Sequence, residues 1–134
     1  MPLFEESTMQ YLSAGLDAAA LRQEVTAHNL SNLNTPRFSR SSVSFEEELQ
    51  QARQRENGQL ERTHPQHQPS PAADLSPSVE RDQSSVRRID GNNVDMDQEM
   101  LELVNNQFRF NAMSQQVSDR FETWQYMVNE VGRG

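Results

Sequence analysis

His64 and His67 stand three apart in this sequence, a spacing at which two imidazoles can ligate one metal ion. No third histidine is near, and Pro65, Pro69 and Pro71 deny the pair a helix on which the rings would converge. They read as two solvated histidines. Asp90, Asn92, Asp95, Asp97 and Glu99 carry oxygen ligands at the density of a calcium loop. That loop needs glycine at its sixth position and glutamate at its twelfth, whereas here Gly91 is second and Leu101 twelfth. The segment reads instead as a turn and helix cap. His28, beside Asn29 and near Glu24, has the makings of an acid/base pair, but no activated nucleophile, glycine-rich phosphate loop or apolar pocket accompanies it. Arg87-Arg88 is too small a basic patch to hold nucleic acid. The sequence therefore nominates no catalytic residue, no metal ligand and no cofactor, and the expectation is a protein that is not an enzyme.

Composition narrows the classes further. Twelve arginines, no lysine and twenty acidic residues give a net charge of −8, which repels phosphate backbones and anionic lipid. Nothing in the sequence explains the missing lysine. Hydrophobic residues make up only 34% of the chain of 134, too little for a large interior. With no cysteine there is no disulfide framework or thiolate site. No apolar run approaches a membrane span, and Met1-Pro2-Leu3-Phe4-Glu5-Glu6 lacks the basic start and apolar core of a secretory signal. The expectation is a soluble chain that, if exported, uses another route.

The elements that must position these residues divide the chain in three. All nine aromatics lie between Phe4 and Phe45 or between Phe108 and Tyr126. Between them, residues 50–88 hold four of the six prolines and few large aliphatics, namely Leu60, Leu75, Val79 and Val86. Such a stretch buries too little to offset chain ordering and is predicted to be a mobile or extended part of a connector, 37–93, whose first portion, 37–49, is short and structured. Residues 1–36 and 94–134 are predicted to be helices.

In the first, Met9, Leu12, Leu16, Ala19, Gln23, Thr26, Leu30 and Leu33 step by three and four, a heptad seam weakened at Gln23 and Thr26. Ser7 and Gln10 form a potential capping box before it, and Asn32, Asn34, Thr35 and Pro36 end it. In the second, Met96, Met100, Leu103, Gln107, Phe110, Ser114, Val117, Phe121, Trp124, Val128 and Val131 step without a break. Asp95 with Gln98 is a second capping-box candidate, and Asp90-Gly91-Asn92-Asn93 a reversal before it. Gln23 and Gln107, both mid-seam, either pair to fix register or reach solvent. The fold class expected is all-α, with two long terminal helices packed as an antiparallel coiled-coil hairpin, joined by a largely irregular connector.

One seam per helix does not account for every apolar residue. Tyr11, Ala14, Ala18, Leu21 and Val25 form a second face on the first helix, and Leu101, Val104, Phe108 and Ala112 one on the second. A two-helix hairpin cannot cover both faces. Either further elements of the same chain pack there, which the connector's composition argues against, or neighbouring subunits do. Two sticky faces on a small subunit point to polymerisation, and heterologous contacts that do not close build filaments.

The stretch from Leu21 to Phe38, with His28-Asn29-Leu30-Ser31-Asn32-Leu33-Asn34-Thr35-Pro36 at its centre, resembles the N-terminal signature of bacterial flagellar rod and hook proteins. Asp90-Gly91-Asn92-Asn93-Val94-Asp95-Met96-Asp97-Gln98-Glu99-Met100 and Phe45-Glu46-Glu47-Glu48-Leu49 look like segments of a proximal rod member. Arg37 stands where that family usually has glycine, and Phe38 where it has tyrosine, so the turn after Pro36 must be made without a residue that accepts positive φ freely. The resemblance implies a structural subunit of the hollow, periplasm-spanning rod of the flagellar basal body. It further implies export through the flagellar type III apparatus without a cleaved signal, and assembly with other rod subunits beside the adaptor FliE, the inner-membrane ring and the export gate. Signature-turn residues would be Asn29, Asn32, Asn34, Thr35 and Pro36. The rival expectation is a cytoplasmic, export-chaperone-like helical module that holds a partner's amphipathic helix.

Overall fold

The computed structural model describes residues 2–58, 75–82 and 88–132. Helix α1 spans Pro2–Ser31, strand β1 Ser41–Ser44, helix α2 Glu46–Gly58, strand β2 Ser78–Arg81 and helix α3 Met96–Val131. At 1.5 Å per residue, α1 and α3 are roughly 45 and 54 Å long. They pack on one another along their lengths and run antiparallel, Asn29 meeting Glu99, Ala19 meeting Asn106, and Gly15 meeting Met113. The chain is thus mostly helical, with its two long terminal helices in mutual contact.

The contact differs in detail from the apolar seam. Its α1 residues include Gly15, Ala19 and Asn29, and its α3 residues Glu99, Asn106 and Met113, spaced by seven. The contact line is thus displaced by one residue from Leu16 and Leu30. Small size permits this choice: a Cβ at Gly15 would lie 2.7 Å from Met113 Sδ, so the Met113 side chain occupies space that only glycine leaves open. Gln23 and Gln107 are both exposed, and Gln107 donates to Asn111 on its own helix (3.0 Å), so the pair does not fix register.

Helix ends follow local chemistry. Helix α1 begins at Pro2, where a first-turn proline loses no hydrogen bond, so Ser7 and Gln10 lie inside the helix rather than capping it. It stops at Ser31 rather than at residue 36, because Asn32, Leu33 and Thr35 donate three residues back to Asn29, Leu30 and Asn32. Arg37 then takes φ 59°, the left-handed conformation glycine would adopt freely. At the start of α3, Asp95 Oδ1 accepts from the Asp97 and Gln98 amides (3.0 and 3.3 Å). The Gln98 side chain donates to Glu102 instead of closing the box.

The connector carries more structure than its composition predicts. Strands β1 and β2 pair antiparallel, with Ser41 opposite Arg81 and Val43 opposite Val79. Helix α2 continues to Gly58, into the stretch expected to be mobile. It begins with Glu46, Glu47 and Glu48 at its positive end. Phe45, Leu49 and Leu75 close over Ala14 and Ala18, so one face of α1 is covered by the same chain. His64, His67 and the prolines at 65, 69 and 71 lie outside the described residues.

Candidate assembly interface

A polar lock holds the turn after α1 against the start of α3. The last carbonyls of any α-helix lack helical partners. Here the Asn92 amide, fully buried, shares its two hydrogens among the carbonyls of Asn32, Leu33 and Thr35 (3.0, 3.1 and 2.8 Å). Arg88 Nη1 donates to Leu33 O (2.9 Å), a cation at the negative end of α1. The Asn92 oxygen accepts from the Val94 amide (2.8 Å). Arg37 N donates to Asp90 O (3.0 Å), which ties the strained turn to the reversal around Gly91.

One turn further along α3, Glu99 is 0% exposed. Its Oε1 accepts from Arg40 Nε and its Oε2 from Asn29 Nδ2 (3.0 Å). Arg40 Nη2 donates to Glu102 Oε1 (2.7 Å). Burial disfavours the Arg40 charge, but the hydrogen bond to Glu99 and the charges of Glu99, Glu102 and Asp82 outweigh it and raise the guanidinium pKa. Asn29 also acts as a surrogate strand residue: it donates to Ser41 O (2.7 Å) and accepts from Ser41 N (3.0 Å). Asn93 completes the ring by accepting from Arg40 N (2.6 Å) and donating to Asp82 O (3.0 Å).

This arrangement is built to hold, not to react. Both Glu99 oxygens accept hydrogen bonds, one from the buried Asn29 and one from the half-buried Arg40, and the carboxylate has no accessible surface to offer a substrate. The residues resembling a calcium loop are divided among three tasks: Asp95 caps α3, Asn92 ends α1, and Glu99 pairs with Arg40. Among the described residues no cluster of three His, Asp or Glu side chains has metal-binding geometry. His28 is an exposed helix residue whose ring lies 5.5 Å from that of Phe38. Arg40 carries the lock but had no signal in the sequence, and Asn93 signalled only a reversal, since the two meet across 53 residues. In the signature turn Asn29 is buried and Asn32 half-buried, while Asn34, Thr35 and Pro36 are exposed.

Around the lock lie the apolar residues expected to make contacts. Leu12 and Ala19 are buried, and Leu16, Leu30, Leu33, Leu103, Val117 and Trp124 half-buried. Met100, Phe110, Phe121 and Val128 are exposed, the last at 71%. On the second faces, Ala14 and Ala18 are buried and Tyr11, Leu21 and Val25 half-buried. Leu101, Val104 and Phe108 are exposed, Phe108 at 70%. The chain covers the second face of α1 itself and leaves that of α3 open.

Two long terminal helices locked together at one end, with an apolar face of α3 left exposed, define a mostly helical protein built on the packing of its two ends. Residues 9–38, which are most of α1 and its turn, match the family described as flagella basal body rod protein. The chain is similar to the flagellar basal body rod protein FlgB of Bacillus subtilis, 32% identical over 92% of this chain and 93% of the relative. It is 36% identical to FlgB of Borrelia hermsii over 81% and 85% of the two chains, and 31% identical to FlgB of Escherichia coli K12 over 78% and 80%. The chain belongs to the FlgB family of flagellar basal body rod proteins.

Proposed function

We propose that this chain is a structural subunit of the proximal rod, polymerising with other axial proteins through α1 and α3 to form part of the hollow, periplasm-spanning drive shaft. The observation that carries the reading is the open apolar face of α3, with Leu101, Val104 and Phe108 exposed beside a rigid polar lock. Burying such side chains contributes about 1.5–3 kcal/mol each, so several together can drive association. In this reading the subunit does no catalysis. It is exported through the flagellar type III apparatus without a cleaved signal and assembles at the rod base, beside the adaptor FliE, the inner-membrane ring and the export gate.

Deleting the gene and imaging basal bodies tests the reading, with a tag placed in the connector near Pro71. Truncated basal bodies in the deletion, with the tag at the rod base in complemented cells, are expected. Intact basal bodies with a cytoplasmic tag would overturn the reading in favour of a soluble helix-holding module.

A further inference from the structure

Asp90 is followed by Gly91, and a residue without a Cβ leaves its amide nitrogen open to the carboxyl group before it. The reaction that such a pair undergoes needs only water. The Gly91 nitrogen bonds to Asp90 Cγ and gives up its proton, while one carboxyl oxygen leaves as water. The five-membered succinimide so formed takes a water back at either of its two carbonyls. Opening at one restores aspartate. Opening at the other gives isoaspartate, whose main chain runs through the former side chain and is one methylene longer.

The structure engages every group that this reaction must move. Gly91 N donates to Arg88 O (3.0 Å), with φ 80°. On the other side of the same peptide, Asp90 O accepts from Arg37 N (3.0 Å). The Asp90-Gly91 peptide is thus pinned at both its donor and its acceptor, and its nitrogen cannot swing toward Cγ while both bonds hold. The carboxylate is tied as well: Oδ1 accepts from the Asn92 amide (3.1 Å), and Arg88 Nη2 lies 3.4 Å from Oδ2. Asn92 in turn is fully buried and anchors the reversal to the end of α1 through three carbonyls.

We propose that Asp90 is a site of spontaneous isomerisation to isoaspartate, and that the polar lock suppresses the reaction by pinning the Asp90-Gly91 peptide. The added methylene shifts Gly91 and Asn92 relative to Asp90, so the bond from Arg37 N and the three Asn92 contacts cannot all be remade. A chain that stays unlocked therefore loses the ability to lock. This chemistry does not depend on what the chain assembles into.

The test follows isoaspartate in the full-length chain at neutral pH, with and without urea. The chain has no lysine, so trypsin cuts after arginine alone; Asp90 falls in peptide 89–109, apart from the Asn57-Gly58 pair in 56–62. Isomerised 89–109 is separated by chromatography and its site read by electron-transfer fragmentation. In urea, isoaspartate is expected to accumulate at residue 90. Asp90→Glu, which would need a six-membered ring, is expected to accumulate none there. The folded wild type is expected to react at least about tenfold more slowly than the chain in urea, since only molecules with the lock open can react. Asn92→Ala, which frees the reversal from α1 and leaves Asp90 and Gly91 in place, is expected to move the rate without urea toward the rate in urea. Where circular dichroism shows that Asn92→Ala has not kept its helices, Arg40→Met opens the lock from the Glu99 side instead. No isoaspartate at residue 90 in urea overturns the proposal. So does a folded wild type that reacts as fast as the unfolded chain, or a folded lock variant that reacts no faster than the wild type.

Discussion

The carboxylate of Glu99, with no accessible surface, is held by the guanidinium of Arg40, 59 positions earlier in the chain. One residue opens the connector and the other lies in the first turns of α3, so their pairing fixes where the second long helix begins relative to the first. Asn29 on α1 binds the same carboxylate. Three elements thus meet at one buried charge.

Removing one partner strands that charge. Arg40→Met is expected to cost about 3–5 kcal/mol in urea unfolding, because it leaves Glu99 buried without its cation. Adding Glu99→Leu is expected to recover more than half of that, since Asn29 still bonds Ser41 O. The raised pKa of Arg40 makes its contribution full below the unfolded-state value, with loss only as pH rises through the folded one. Both lie far above neutrality, so the Arg40 share is expected to be flat through the neutral range. A double variant as unstable as the single would contradict the assignment.

Asn92 and Asn34 belong to adjoining parts of the same asparagine-rich region and differ in what they do. Asn92→Ala leaves the carbonyls of Asn32 and Thr35 and the Val94 amide without their side-chain partner, and Leu33 O with Arg88 alone, and is expected to cost about 2–3 kcal/mol. Asn34 is exposed, so Asn34→Ala is expected to change stability by less than about 0.5 kcal/mol. Thermal melts of the two variants make the comparison.

Arg37 adopts φ 59° with its side chain in solvent. A non-glycine residue there costs about 1–2 kcal/mol, and the extra freedom of glycine in the unfolded chain takes back part of the gain. Arg37→Gly is therefore expected to raise stability by about 0.5–1 kcal/mol, read as a higher melting temperature. A lower melting temperature would show that Arg37 contributes a contact worth more than the strain.

Both long helices were legible because each carries a three-four apolar rhythm with a readable limit, the asparagine-rich turn before Pro36 that follows the first and Asp95 that caps the second. The strands were not: Ser41, Ser42 and Ser44 surround a single Val43, and β2 is exposed throughout, so neither shows a buried alternation. Helix α2 is charged and glutamine-rich, and its buried apolar contacts come from Leu49 and Ala52 with Phe45 just before it, which is too few residues to read as a period. The lock was invisible for a different reason. Polar residues such as Glu99 and Arg40 look solvated in sequence, and only the approach of distant elements makes them interior.

Assembly should depend on the apolar stripes and not on the histidines. Leu16→Asp or Phe121→Asp is expected to abolish swimming motility in complemented deletion cells, and His64→Ala or His67→Ala to leave it unchanged. The thin interface between α1 and α3 has little apolar surface to offset the ordering of two long helices. Away from the lock the dilute chain is accordingly expected to fray, so that circular dichroism shows partial helicity ahead of the cooperative loss of the locked end, and near-complete helix up to one sharp melt would contradict this.

In the proposed rod subunit the open face of α3 is buried between neighbouring subunits. The sequence has no cysteine, so Val104→Cys, placed on that face and exposed in the single chain, reports on it without background. The measurement is its rate of alkylation in the free subunit and in purified basal bodies from motile cells. Rapid labelling of the free chain and strong protection in the basal body is the predicted result; equal labelling in both would contradict the account.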